Sequence, residues 1–170
     1  MEKGIVCVTG GNGFVASWLI KRLLEDGYYV NTTVRSRSDL KKDVSYLANL
    51  PKATENLKIF DVDINKPETF EAAIRGCIGV FHVAHPTLSN DRVEVLTEKT
   101  VKGALGILQA CVDSKTVKKV VYTSSISTVM FKGKKHTKVI GEESWSDIDY
   151  INSHIDFIAW YHISKTISNS

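Results

Sequence analysis

Tyr161 and Lys165 are the residues whose types and spacing point most directly to chemistry. They are four positions apart, so in a helix both side chains lie on one face. A tyrosine phenol is a poor acid–base group near neutral pH, and a nearby lysine ammonium favours its phenolate form. Ser125 follows a strand-like segment, where its hydroxyl could hold a carbonyl oxygen while Tyr161 supplies a proton. The pattern predicts carbonyl reduction, with the hydride coming from a nicotinamide cofactor.

A glycine-rich segment near the start of the chain has the spacing of a phosphate-binding loop. Gly10, Gly13 and Ala16 form a G-x-x-G-x-x-A series between a strand-like run and a helix-like run. Gly10 permits a tight turn, Gly13 lets the backbone approach a pyrophosphate, and Ala16 allows close helix–strand packing. The alternative is a turn that binds no ligand. The predicted cofactor-binding residues of this segment are Gly10, Asn12, Gly13, Phe14 and Val15.

The end of the second predicted strand distinguishes NAD from NADP. An NAD site usually carries an acidic residue there for the ribose 2′-hydroxyl, but residues 31–37 contain none. Arg35, Arg37, Lys41 and Lys42 cluster at and beyond this strand end, and arginine can bind a 2′-phosphate through two parallel hydrogen bonds. The sequence therefore favours NADP(H). The alternative for the two lysines is a solvated helix face.

Two further pairs of polar residues follow predicted strands. A carboxylate at Asp61 or Asp63 could accept a hydrogen bond from an adenine amino group, although a turn-forming role is favoured for Asp61. We expect His82 to lie in the core and His85, directly after the fourth strand, to contact the cofactor. Two histidines are too few for a zinc site, so no metal is expected.

Strand-like and helix-like segments alternate as far as residue 123, which predicts a parallel sheet covered on both faces. Right-handed crossovers then give a doubly wound, Rossmann-like α/β fold that binds ligands at the carboxyl ends of its strands. The predicted strands are Lys3–Thr9, Tyr28–Val34, Leu57–Phe60, Ile78–Val83 and Val117–Thr123. The predicted helices are Phe14–Asp26, Asp39–Leu50, Asn65–Arg75 and Arg92–Asp113.

Apolar spacing gives each long helix a candidate face. In the first helix this face carries Val15, Trp18, Leu19 and Leu23, and the long helix carries Val95, Val101, Leu105, Leu108 and Val112. After residue 123 the regular pattern weakens. We expect loops at residues 132–138 and 142–149, and the entry to another helix at residues 157–165.

Composition is ordinary for one globular domain: 170 residues, 43% hydrophobic and 24% charged, with a net charge of +3. This balance excludes a disordered chain and gives no indication of nucleic-acid binding. No apolar run is long enough to cross a bilayer. Cys7, Cys77 and Cys111 form no CxxC pair, so we expect reduced thiols in a cytoplasmic protein. The sequence leaves the oligomeric state open.

Together these residues resemble the extended short-chain dehydrogenases/reductases, and more narrowly the plant reductases of the dihydroflavonol 4-reductase and vestitone reductase group. The resemblance is carried by VCVTGGNGFVASWLIKRLLEDGY, NTTVRSRSDLKKDVSYLANLP, GVFHVAHP, TVKGALGILQACVDSKTVKKVVYTSS and YHISK, and it runs to about Thr166. It implies NADPH-dependent reduction of a carbonyl on a flavonoid-like or phenylpropanoid substrate. It also implies that Arg35 and Lys42 hold the 2′-phosphate, Asp63 and Ile64 flank the adenine, Val83, Ala84 and His85 line the cofactor, and Ser125, Tyr161 and Lys165 are catalytic, the last two also contacting the cofactor.

Enzymes of this group are roughly twice as long as this chain. We therefore expect residues 1–170 to form the dinucleotide-binding domain without the substrate-binding C-terminal region, and we expect activity to be impaired. One alternative is an NADP(H)-binding module, or a partner subunit, without turnover. Another is a sugar-nucleotide epimerase or dehydratase of the same fold, but these more often use NAD with an acidic residue after the second strand.

Overall fold

A computed structural model describes residues 3–35, 44–64, 66–86, 92–133, 139–141, 143–155 and 158–169. Its contacts separate two units. The first unit takes in residues 1–85 and 105–123, and the second takes in residues 86–104 and 124–170.

The first unit is built on five parallel strands in the order β3-β2-β1-β4-β5. The strands are β1 (Ile5–Thr9), β2 (Tyr29–Val34), β3 (Leu57–Asp61), β4 (Gly79–His82) and β5 (Lys119–Tyr122). The direction of winding reverses between β1 and β4, which is the switch point where doubly wound sheets bind ligands. The predicted Rossmann-like α/β class is confirmed.

Eight α-helices and one 3-10 turn occur in the described part of the chain. The first unit holds α1 (Phe14–Glu25), α2 (Ser45–Ala48), α3 (Ala53–Asn56), the 3-10 turn Pro67–Phe70, α4 (Glu71–Ile74) and the later half of α5 (Val93–Ser114). The second unit holds α6 (Ser127–Met130), α7 (Ile148–His154) and α8 (Ala159–Asn169). None of these helices combines the length and apolarity that crossing a membrane requires.

Two apolar clusters cover the two faces of the sheet. Cys7 belongs to one cluster and Val8 to the other, because successive strand residues point to opposite faces. The Cys7 cluster is filled mainly from α4 and α5, and the Val8 cluster mainly from α1. Each fully buried aliphatic or aromatic side chain contributes about 1.5–3 kcal/mol, so these clusters hold the strand ends in place.

All three cysteines are free thiols in one apolar cluster. Burial raises the pKa of Cys77 and that of Cys111 to about 11, and it raises the pKa of Cys7 well above its usual range. Because the thiolate is the reactive form, these side chains act as small apolar core residues at neutral pH.

The packed faces of α1 and α5 differ from those that the apolar spacing indicates. In α1 the buried residues are Ala16, Ile20, Leu23 and Leu24, whereas Val15 is 58% exposed and Trp18 is 60% exposed. In α5 the buried residues include Ala104, Ile107 and Cys111, whereas Leu105, Leu108 and Val112 are exposed. Both helices carry two apolar stripes, and the stripe with the small alanine packs because it permits close approach to the sheet.

The later region contains more helix than the sequence predicts. Part of the expected loop at residues 142–149 belongs to α7, where the Asp147 carboxylate accepts a hydrogen bond from Tyr150 N at 3.0 Å and caps the helix. The predicted helix at residues 39–50 is seen at Ser45–Ala48, since residues 36–43 lie outside the described residues. Residues 134–138 of the predicted basic loop also lie outside them.

Gly106 tests how tightly α5 packs in the first unit. A Cβ atom there would lie 2.5 Å from Pro67 Cγ and even closer to Pro67 Cβ. We expect Gly106→Ala to lower the free energy of unfolding by about 1–3 kcal/mol, although alanine favours a helix by about 1 kcal/mol over glycine. Chemical denaturation would measure this. Gln109→Ala, at an exposed position of α5, is the matched control, and a stabilised Gly106→Ala variant would contradict the close packing.

Candidate functional site

The glycine loop between β1 and α1 is anchored to the end of β2. Gly10 N donates to Thr33 Oγ1 at 3.2 Å, and Gly11 N donates to the Thr33 carbonyl oxygen at 2.8 Å. Gly13 N closes the turn by donating to Gly10 O at 2.8 Å. These bonds fix the loop at the carboxyl end of the sheet, where the sequence predicts a ligand.

The three glycines of the loop are required for different reasons. Gly10 has φ +75, and a Cβ atom there would lie 3.1 Å from Cα and Cβ of Ala84, so the expected tight turn is present. A Cβ atom at Gly11 would overlap Thr32 Oγ1. Gly11 was not among the predicted site residues, although the paired glycines after the strand were a usable signal. A Cβ atom at Gly13 would lie 3.2 Å from Gly10 O, a close contact with the backbone of the turn.

The segment after β4 is joined to the end of β1 through one hydroxyl group. The backbone N–H groups of Val83 and Ala84 donate to Thr9 Oγ1 at 3.1 and 3.0 Å. The same oxygen lies 2.9 Å from Nδ1 of His82, which is buried as predicted. Val83 and Ala84 are therefore held next to the glycine loop, His85 follows them, and all three are half-buried.

The other predicted cofactor residues lie at the same sheet edge. Arg35 directly follows β2 and is exposed. Asp63 and Ile64 follow β3 and are half-buried, and Asp63 N donates to Thr69 Oγ1 at 3.1 Å. Because β3, β2, β1 and β4 are parallel neighbours, the structure brings their following segments to one edge. Lys42, together with Arg37 and Lys41, lies outside the described residues.

The glycine loop and the N-terminus of α1 also suit a phosphate electrostatically. The loop leads directly into α1, a helix of 12 residues whose N-terminal N–H groups carry partial positive charge. Phe14 and Val15, the first two residues of α1, are exposed, and Asn12 is half-buried beside them. The exposed Gly13 and the dipole of α1 together suit a pyrophosphate.

In the second unit, Ser125 lies just before α6. Its Oγ accepts hydrogen bonds from Ser127 N at 3.2 Å and from Ser127 Oγ at 2.9 Å. Thr128 Oγ1 in turn donates to the Ser125 carbonyl oxygen at 2.8 Å. Helix α6 packs against α8, so the structure brings Ser125 into the same packed unit as the predicted Tyr161–Lys165 pair.

Helix α8 carries Tyr161 and Lys165 one turn apart. Tyr161 is half-buried, and Lys165 is only 3% exposed. Burial lowers the pKa of Lys165 from 10.5 to about 8, because a charged ammonium is poorly solvated there. A lysine is rarely buried to this extent, and such perturbed groups concentrate at functional sites.

A doubly wound parallel sheet with a glycine loop after β1 defines a Rossmann-like protein of the dinucleotide-binding type. Comparison with known sequences identifies the family within this class. The chain belongs to the 3-beta hydroxysteroid dehydrogenase/isomerase family, whose family model matches residues 7–169.

Similar proteins include several plant reductases. Vestitone reductase from Medicago sativa is 52% identical over 168 residues, which cover 98% of this chain and 51% of that protein. Dihydroflavonol 4-reductase from Gerbera hybrida is 48% identical over 166 residues, covering 96% and 44%. The chain thus spans about half the length of the curated relatives it matches. The resemblance to extended short-chain dehydrogenases/reductases is confirmed.

Solved structures of similar proteins match this fold. The crystal structure of vestitone reductase from Medicago sativa matches with a TM-score of 0.86 at 52% identity, covering 98% of this chain and 50% of that one. Gre2 from Candida albicans, in complex with NADPH, matches with a TM-score of 0.77 at 28% identity, covering 97% and 50%.

The buried Lys165 predicts a pH-dependent stability. Between about pH 8 and pH 10.5 the unfolded chain holds a proton that the folded chain has lost, so burial of Lys165 costs stability below pH 8 and less as pH rises. We expect Lys165→Met to raise the free energy of unfolding by about 1–3 kcal/mol at pH 7, with the gain shrinking toward pH 10. Denaturation at both pH values would measure this.

Lys58→Met is the matched control, because Lys58 is exposed on β3 and should change stability by less than about 0.5 kcal/mol at either pH. A gain for Lys165→Met that is equal at pH 7 and pH 10 would contradict the lowered pKa.

Proposed function

We propose that the chain belongs to a lineage of NADPH-dependent reductases and that it reduces a carbonyl of a flavonoid-like or phenylpropanoid substrate. The observation that carries this proposal is the buried Lys165, one helical turn after Tyr161 on α8. The names of the plant relatives, vestitone reductase and dihydroflavonol 4-reductase, support the substrate class.

The polar residues of β2 support NADPH as the cofactor. Asn31 donates to the Ala73 carbonyl oxygen at 2.8 Å, and Thr32 donates to the Val8 carbonyl oxygen at 2.8 Å. Thr33 anchors the glycine loop. These three side chains are buried and none is acidic, so β2 offers no carboxylate to a ribose 2′-hydroxyl. Arg35, at the strand end, instead supplies a cation suited to a 2′-phosphate.

Each catalytic candidate has a distinct task in this proposal. Both lone pairs of Ser125 Oγ receive hydrogen bonds from Ser127, which leaves the Ser125 proton to be donated to a substrate carbonyl oxygen. Tyr161 delivers the proton that the reduced oxygen takes up, and the Lys165 ammonium favours the phenolate that remains. NADPH, when bound, supplies the hydride.

Arg35 tests the cofactor preference. We expect Arg35→Ala to weaken NADPH binding by about 1–3 kcal/mol, the range for a hydrogen bond to a charged group, and to leave NADH binding nearly unchanged. Calorimetric titration of both cofactors would measure this. Arg22→Ala, at an exposed position of α1, is the matched control. Equal losses for NADPH and NADH would show that Arg35 does not recognise the 2′-phosphate.

Tyr161 tests the reaction. The quantity to follow is the rate at which the chain oxidises NADPH in the presence of flavonoid ketones. We expect Tyr161→Phe to lower that rate by about a hundredfold, the loss of a general acid. Absorbance of NADPH across a ketone panel would measure it.

The same assay distinguishes a reductase from a protein that binds NADPH without catalysing a reaction. Trp160→Phe, at the neighbouring position on α8, is the matched control and should keep the rate. NADPH binding without any turnover in the wild-type chain would favour a binding module that lacks catalysis.

A further inference from the structure

His82 lies where three strands of the first unit end together. It is the last residue of β4, is 4% exposed, and pairs in register with Tyr122 of β5. Its ring stacks on the Tyr122 ring with centroids 4.7 Å apart and planes 12° apart. Its carbonyl oxygen accepts from Thr123 N at 3.0 Å. Backbone and ring are thus both fixed, so the ring presents Nδ1 to Thr9 in one orientation.

The hydrogen bonds of the Thr9 hydroxyl indicate the direction of its bond to His82. A hydroxyl has two acceptor lone pairs and one proton to donate. Both lone pairs of Thr9 Oγ1 receive backbone N–H groups, from Val83 and Ala84. The Thr9 proton is therefore directed at His82 Nδ1, 2.9 Å away, which accepts it in the tautomer whose own proton is on Nε2.

This arrangement couples His82 to the backbone that faces the glycine loop. If Nδ1 did not accept the Thr9 proton, the hydroxyl would have to rotate to another acceptor and would present a lone pair less favourably to Val83 or Ala84. Ala84 has little room to move, because a Cβ atom at Gly10 would already lie 3.1 Å from it. The position of Ala84 and that of Gly10 are therefore set together.

We propose that His82 is a positioning residue for dinucleotide binding: by accepting the Thr9 proton it orients the Thr9 oxygen, which holds the Val83–Ala84 backbone against the glycine loop. This inference rests on the proposed function, since it assumes that the edge formed by these two segments binds NADPH. His82 itself is buried and acts through Thr9.

Paired substitutions test the proposal. Thr9→Val and His82→Leu each remove one half of the hydrogen bond, whereas Thr9→Ser and His82→Asn keep a hydroxyl and an acceptor near the Nδ1 position. We expect NADPH to bind about tenfold more weakly to Thr9→Val and to His82→Leu. We expect the conservative variants to stay within about threefold of wild type. The double variant Thr9→Val/His82→Leu should lose about tenfold rather than a hundredfold, because both changes break one unit.

Asn31→Leu separates positioning from general stability. Asn31 is also buried and donates to Ala73 O, on a part of β2 before the strand end. The Asn31→Leu substitution should lower the melting temperature without changing the NADPH dissociation constant. His82→Leu with a lower melting temperature but wild-type affinity would reduce His82 to a structural residue, and losses that multiply in the double variant would show that Thr9 and His82 act separately.

Amide hydrogen exchange of the free protein tests the network without cofactor. We expect the Val83 and Ala84 amides to be protected in wild type and His82→Asn, and to exchange at least about tenfold faster in His82→Leu. Unchanged exchange in His82→Leu would overturn the inference. If wild type fails to bind NADPH but shows this exchange pattern, the proposed function fails while the coupling of His82 to the backbone stands.

Discussion

The position of the Thr9 hydroxyl is the constraint on which the candidate nucleotide edge depends. At the switch point, β1 and β4 lead their chains away in different directions, so nothing in the strand ladder holds the following segments together. One oxygen that accepts from Val83 and Ala84 supplies that link. The absence of a side chain at Gly10 then lets Ala84 lie against the glycine loop. A residue with no hydroxyl, or a glycine loop with one more Cβ, would separate the two segments.

The second unit contains a residue that lowers the stability of the fold. Lys165 is buried on α8, where an ammonium lowers stability at neutral pH. A methionine of similar length would pack there without that cost. A group that destabilises the folded state and has a pKa moved toward neutrality is expected where its charge has a task. The proposed task, support of the Tyr161 phenolate, gives this burial a chemical reason that packing alone does not.

The sheet could be predicted from the sequence because short apolar runs between turn residues have few other solutions. Strands β1 and β4 were found in this way, and β4 is shorter than predicted because Val83 N leaves the strand to bind Thr9. The packed helix faces could not be predicted, since α1 carries apolar residues on two sides. Only the tertiary contacts decide that Ile20 packs and Trp18 faces solvent near Lys21.

The Asp147 cap of α7 was missed because it lies within an acidic stretch typical of a loop.

The candidate site was predictable where one residue type in one local spacing suffices, as for Gly10 and the Tyr161–Lys165 pair. It was not predictable where the role arises between distant residues. Thr9 and His82 are 73 positions apart, and neither is unusual in its own strand. For NADP(H), the sequence offered the absence of an acidic residue at positions 31–37 and the cluster of Arg35, Arg37, Lys41 and Lys42. The structure adds a reason, because Asn31, Thr32 and Thr33 already bond to Ala73, Val8 and the glycine loop. The proposed preference therefore depends on Arg35, since Asn31, Thr32 and Thr33 are buried and none of them is acidic.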